Sequence, residues 1–178
     1  MKYKILFPVI SLVVSFGLLL SLTFGLHGVA QKNAQETHLQ IMQILLPEST
    51  TFTLEEYNGD DENIKSVHKS ETGYIVETVV YGYADNIRMM IAVDFDGKCV
   101  GIMVLEMHET FGLGLNALRD HKFLSQFLGS STTMEVGDTI DAINGATVTS
   151  KAITKSINSA IAYVTGADID SGATEWGA

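Results

Sequence analysis

The sequence predicts an α+β protein, in which one N-terminal transmembrane helix precedes a small domain with an antiparallel sheet and flanking helices. Three observations lead to this prediction. Residues 5–26 form an apolar run without a charge. Residues 87–107 alternate with the two-residue period of paired strands. Residues 150–164 have the apolar spacing of an amphipathic helix. The 178 residues suffice for one modest domain with an appendage.

The apolar run has the length of a membrane span, because such a helix needs about 20 predominantly apolar residues. A cleaved secretory signal is the alternative, since "GVAQ" at residues 28–31 resembles a cleavage site. The apolar core of such a signal is shorter, however, at about 7–15 residues. Lys2 and Lys4 precede the run, and the positive-inside rule then keeps the N-terminus in the cytoplasm. We therefore expect a single-pass protein of the cell membrane, in contact with lipid, whose body is extracytoplasmic.

The body of the chain is acidic. It contains all 21 acidic residues and nine of the 11 basic ones. Because nucleic-acid binding depends on neutralising phosphates with Lys and Arg, no nucleic-acid partner is expected. The single cysteine, Cys99, is expected to be a buried free thiol. A lone cysteine excludes cysteine-rich zinc and iron–sulfur sites, and no metal site is predicted.

Further helices and strands are predicted after the apolar run. Residues 31–46 are predicted to continue the first helix as far as Pro47. The segment "GYIVETVVYGYA" at 73–84 is rich in β-branched and aromatic residues, which favour strands. A short helix is expected to end near Gly129, and a loop with a short strand should lead into the final helix.

A β-hairpin is the clearest structural prediction. Residues 87–95 alternate apolar and polar positions, and Asp96-Gly97 is a strong signal for a tight turn between strands. The return strand, residues 98–107, is predicted to place four apolar residues on one face: Cys99, Met103, Leu105 and Met107.

Hydroxyl groups cluster where the last helix should begin, in "DAINGATVTS" at residues 141–150. The first turn of a helix has unpaired N–H groups and the positive end of the macrodipole, and these suit a phosphate. Because Gly145 and Ala146 are small, a ligand can approach the backbone closely at this point. Helix capping by Thr149 or Ser150 explains the same residues without any ligand. The residues alone leave both interpretations open.

Two segments resemble a known family. "DAINGAT" at 141–147 resembles the flavinylation motif of the FMN-binding domain family: Asp, two variable residues, Ser or Thr, Gly, Ala, and the modified Thr or Ser. "HETFGLGLNALRDHKFLSQFLG" at 108–129 is similar to the His-x-Glu-Thr-Pro-Gly-Leu-Gly segment of the G subunit of the Rnf electron-transport complex. Asn144 replaces the motif's Ser or Thr and keeps a short hydrogen-bonding side chain, whereas Phe111 replaces the proline.

The resemblance implies a membrane-anchored electron-transfer subunit with covalent FMN. A separate magnesium-dependent flavin transferase, with FAD as donor, would join the FMN phosphate to Thr147, which is a tether and not a catalytic residue. The other subunits of the complex are the expected partners, and the complex passes electrons between ferredoxin and NAD with sodium or proton transport. The chain would be a redox subunit of a translocase and not an enzyme on its own. The residues expected near the flavin or its phosphate are Gly145, Ala146, Thr149, Ser150, Glu109, Thr110, Leu113 and Gly114.

"DIDSGAT" at 168–174 matches the same motif, so Thr174 is a second expected attachment point. The predicted organisation is then an anchor, an FMN-binding domain and a flexible acidic tail, at residues 1–30, 31–165 and 166–178. Two other functions remain open: a free-standing extracytoplasmic FMN carrier, and an anchored module that binds an anionic ligand without redox chemistry. A hydrolase has little support, because no histidine stands at a suggestive position relative to Thr147 or Ser150.

Overall fold

The computed structural model describes residues 3–108 and 121–167, with side chains described at 10–21, 32–108 and 121–167. The elements are α1 (Tyr3–Leu45), β1 (Thr53–Glu55), β2 (Ile64–Lys69), β3 (Gly73–Tyr81), β4 (Asn86–Asp94), β5 (Cys99–Met107), α2 (His121–Ser125) and α3 (Thr147–Thr165). All five strands pair antiparallel in the order β1-β2-β3-β4-β5. The α+β class with an antiparallel sheet is therefore confirmed. The chain divides into two compact units, Met1–Gln40 and Ile41–Ala178.

The first unit consists of most of α1, which covers both the apolar run and the predicted extension toward Pro47. Every described side chain between residues 10 and 21 is exposed, including Leu12 at 70% and Phe16 at 63%. Among the described residues, none of the helices combines the length and the apolar character that a membrane span requires. The transmembrane character of residues 5–26 therefore stays a prediction.

The predicted hairpin is confirmed as β4 and β5. Its connection is a turn in which Gly97 N–H donates to Asp94 C=O at 3.0 Å, and Asp94 N–H donates to Lys98 C=O at 2.9 Å. Gly97 has a φ of +80°, the left-handed conformation that glycine adopts without steric cost. The Asp-Gly pair thus closes a three-residue loop of the kind that often joins antiparallel strands.

The predicted apolar face of β5 is wrong. Cys99 and Met107 do pack into the core under α3, but Met103 and Leu105 lie in the cluster on the opposite face. The pairing of β4 with β5 shifts register twice, between Ala92 and Val93 and again between Arg88 and Met89. Each shift inserts one extra β5 residue, and one inserted residue reverses the face of the side chains that follow.

The sheet is covered on both faces. Three residues of α3 with no exposed surface, Ile153, Ile157 and Ile161, form the larger core together with residues of β3 and β4. On the other face, Met42 and Leu45 form a smaller cluster with strand residues.

The position of α3 on the sheet locates its two ends. The helix packs mainly on β3 and β4, and Tyr163 near its carboxyl end meets Tyr74 near the start of β3, with ring centroids 5.6 Å apart. At about 1.5 Å per residue, the amino end of α3 lies toward the end of the sheet where β3 finishes.

Cys99 is confirmed as a buried free thiol. Burial raises the pKa of this thiol to about 12, and only the thiolate is a good nucleophile. We expect native protein at pH 8 to react with iodoacetamide at least about 100-fold more slowly than urea-unfolded protein. Mass spectrometry of timed samples measures both rates. Equal rates would contradict the buried position of the thiol.

Candidate functional site

A tight turn leads the chain into α3. Ala146 N–H donates to Ile143 C=O at 2.9 Å, and Gly145, the third residue of the turn, has a φ of +77°. A type II turn requires a positive φ at this position, which is why glycine is preferred there. The glycine of the "NGAT" sequence is therefore explained by the backbone, since a Cβ at this φ would be strained.

The helix begins at Thr147, three residues earlier than the periodicity predicted. Its N-cap is Ala146, and among the described residues no side chain caps the helix. The alternative explanation of Thr149 and Ser150 as capping residues is therefore wrong. Both lie inside the first turn, where an oxygen cannot reach the N–H groups as an N-cap side chain does.

The three hydroxyl residues of the first turn differ in what they contact. Thr147 is exposed, whereas Thr149 is 1% exposed and Ser150 has no exposed surface. The Ser150 hydroxyl donates to Ala146 C=O at 2.9 Å and accepts from Ile143 N–H at 3.1 Å. Ser150 thus fastens the turn to the helix, and of the three residues Thr147 alone presents its hydroxyl to solvent.

The surroundings of Thr147 suit an anion. The first intrahelical bond runs from Ser150 N–H to Ala146 C=O, so the amides of residues 147–149 precede the hydrogen-bonded ladder. The first turn contains no acidic side chain that would offset the positive end of the helix dipole. A phosphate ester on the Thr147 hydroxyl fits these residues, because it would sit beside the amides of Thr147 and Val148, which precede the helical ladder at the positive helix end.

The second sequence segment lies mostly outside the described residues, which end at residue 108 and resume at 121. Four predicted flavin-lining residues fall in that gap: Glu109, Thr110, Leu113 and Gly114. Thr174 also lies outside the described residues. His108, the first residue of the segment, is exposed, and its Nδ1 lies 3.6 Å from the Asp85 carboxylate. The second segment therefore starts at the end of β5, on the side of the sheet where β3 also ends.

The domain also has a groove of about 410 Å³. Its lining residues are Lys65, Glu77, Val79, Asp85, Asn86, Arg88, Glu106 and His108. The most buried charge in it, Glu77, is paired with Arg88 and accepts a hydrogen bond from the Ser66 hydroxyl at 3.1 Å. Because these contacts satisfy Glu77 internally, they explain its burial without a ligand.

Metal binding finds no support in the described residues, where no group of three or more His, Cys, Asp or Glu side chains is placed to bind a metal ion.

Comparison with known proteins identifies the family of the chain. Residues 82–162 match the family model of the FMN-binding domain, a stretch that includes both Thr147 and the second segment. Over 144 residues, the chain is 32% identical to the G subunit of the proton-translocating ferredoxin:NAD(+) oxidoreductase complex of Clostridium ljungdahlii, and the match covers 76% of each protein. The chain belongs to this G-subunit family.

Two further relatives show how far the similarity extends. The G subunit of the ion-translocating oxidoreductase complex of Methanosarcina acetivorans is 28% identical over 161 residues, which are 82% of this chain and 85% of that protein. The G subunit of the Na(+)-translocating ferredoxin:NAD(+) oxidoreductase complex of Acetobacterium woodii is 36% identical over 100 residues, about half of each protein. The G-subunit similarity thus includes most of the chain, while the FMN-binding match is confined to the second compact unit.

Proposed function

We propose that this G-subunit family member carries FMN esterified to Thr147 and transfers electrons within an Rnf-type ferredoxin:NAD oxidoreductase complex coupled to sodium or proton transport. One observation carries the proposal. Thr147 presents an exposed hydroxyl at the uncapped amino end of α3, within the stretch that matches the FMN-binding domain. The other subunits of the complex would be its partners, as the names of its relatives suggest.

The attachment is a group transfer from FAD, performed by a separate magnesium-dependent flavin transferase. Thr147 Oγ1 attacks the phosphorus that bears the riboflavin chain. The Oγ1–P bond forms, the P–O bond within the pyrophosphate breaks, and AMP leaves. The hydroxyl proton passes to a base of the transferase. No electrons are exchanged in this step, so it needs no oxidant or reductant.

The chain itself supplies position and electrostatics. The amides of Thr147 and Val148 would hold the phosphate at the positive end of α3. Bound FMN supplies one- and two-electron redox chemistry. By motif, the residues proposed to line the flavin are Glu109, Thr110, Leu113 and Gly114. Thr174 is proposed as a second attachment point, since its segment repeats the motif with the usual serine at Ser171.

Residues 5–26 are proposed to anchor the chain in the cell membrane, with the second compact unit outside the cytoplasm. The support is the composition of the segment and the exposure of residues 10–21 in α1, because a helix that is apolar all round is stable only when buried or within a bilayer. Fractionation tests this: the chain should stay with membranes in alkaline carbonate and leave them in detergent.

Intact-mass spectrometry of the chain co-produced with a flavin transferase tests the cofactor proposal. The expected mass is that of the chain plus FMN less one water for each attachment, and the yellow colour should persist in urea. Colour that leaves on denaturation would instead favour a reversible binding module. Colourless, unmodified protein would overturn the proposal. Co-purification with further membrane proteins of the complex separates a complex subunit from a free-standing carrier.

A further inference from the structure

Gln126 connects the two segments that identify the family. It follows α2 within the second segment, residues 108–129, and its side-chain amide contacts the backbone of Asp141, the first residue of the attachment motif. Asp141 N–H donates to Gln126 Oε1 at 2.8 Å, and Gln126 Nε2 donates to Asp141 C=O at 3.2 Å. The two bonds together fix the backbone of Asp141 in both position and orientation.

The attachment loop, residues 141–146, is therefore held at two points of its backbone. Gln126 holds Asp141, and the buried Ser150 hydroxyl holds Ile143 from α3. The side chains of Asp141 and Thr147 nevertheless remain exposed. The loop's backbone thus makes internal contacts, while the acidic and hydroxyl residues of the motif are exposed.

We propose that Gln126 is a positioning residue for flavin attachment at Thr147, and that at this site the transferase modifies the folded domain and not a loosened segment. This inference rests on the proposed function, since it names the state of the chain that the transferase accepts. Without the Gln126 amide, the loop would adopt other conformations for part of the time. The transfer rate would then fall in proportion to the population that keeps the conformation accepted by the transferase.

The test compares Gln126→Ala with wild type and with Ser125→Ala in the full chain. Ser125 is exposed, and its hydroxyl donates to Lys122 C=O within α2, so its removal leaves the two Gln126 bonds intact. With purified transferase and FAD, kcat/KM for flavin incorporation at Thr147 of Gln126→Ala, measured on the tryptic peptide that contains this residue, should fall about tenfold, which corresponds to the loss of a pair of hydrogen bonds. Ser125→Ala should match wild type. Transfer into Gln126→Ala at the wild-type rate would overturn the inference.

Hydrogen exchange distinguishes a local effect on the attachment loop from a general loss of stability. In Gln126→Ala, amides of residues 141–146 should exchange faster while those of α3 stay protected, and Tm should stay close to that of wild type because Gln126 is only half-buried. Unchanged exchange in 141–146 would also contradict the inference. Wild-type protein that accepts no flavin would defeat the proposed function instead, and the exchange measurement would still decide whether Gln126 orders the loop.

Discussion

Thr147→Ala is expected to remove FMN from residue 147 completely, because the ester cannot form without the Oγ1 atom. The effect should be all or none and should not resemble a change in affinity. The alanine variant should fold as wild type does, since the Thr147 side chain is exposed and makes no hydrogen bond to another described residue. Tryptic mapping of flavin fluorescence, together with the intact mass, measures the result.

Three variants make this result specific. Thr147→Ser keeps a hydroxyl and should retain flavin at this position. Thr132→Ala removes an exposed threonine outside the motif and should leave the flavin content unchanged. Thr174→Ala should remove only a flavin carried by the tail. Flavin recovered on the peptide containing residue 147 of Thr147→Ala would refute the assignment of the attachment atom.

The hairpin was predictable because its signals are local. Alternation in residues 87–95 and the Asp-Gly turn depend only on neighbouring residues, and both are observed. The apolar face of β5 was not predictable, because two bulges interrupt the alternation and no sequence signal marks them. Strands β1 and β2 were missed for a related reason: β2, "IKSVHK", mixes charged and apolar residues and gains its order from pairing with β3.

At the candidate site, the sequence indicated candidate residues but could not predict their contacts. The motif indicated Thr147, and the structure shows that it is the exposed hydroxyl of the three in the first turn. Ser150 was expected near the phosphate, and its hydroxyl is hydrogen-bonded to the backbone of the turn at Ile143 and Ala146. Gln126 was not predicted at all, since a side-chain amide that binds a backbone 15 residues away leaves no periodic or compositional trace.

Asn158→Ala is expected to cause a large loss of stability, because one side chain makes two buried hydrogen bonds to the backbone. Asn158 on α3 is 3% exposed. Its Oδ1 accepts from Met134 N–H at 2.9 Å, and its Nδ2 donates to Met134 C=O at 2.7 Å. Alanine would leave two buried backbone groups unpaired, so the free energy of unfolding should fall by about 3 kcal/mol and Tm by roughly 10 °C.

Ser159→Ala is the matched control on the same helix. Ser159 has no exposed surface, and its hydroxyl has no hydrogen-bond partner among the described residues. Removing an unpaired buried hydroxyl should therefore change the free energy of unfolding by less than about 1 kcal/mol, or raise it. Urea unfolding followed by circular dichroism gives both values. Equal stability of the two variants would contradict this prediction. It would mean that the Asn158 amide does not hold Met134 against α3, and Met134 begins the stretch of chain that leads to Asp141.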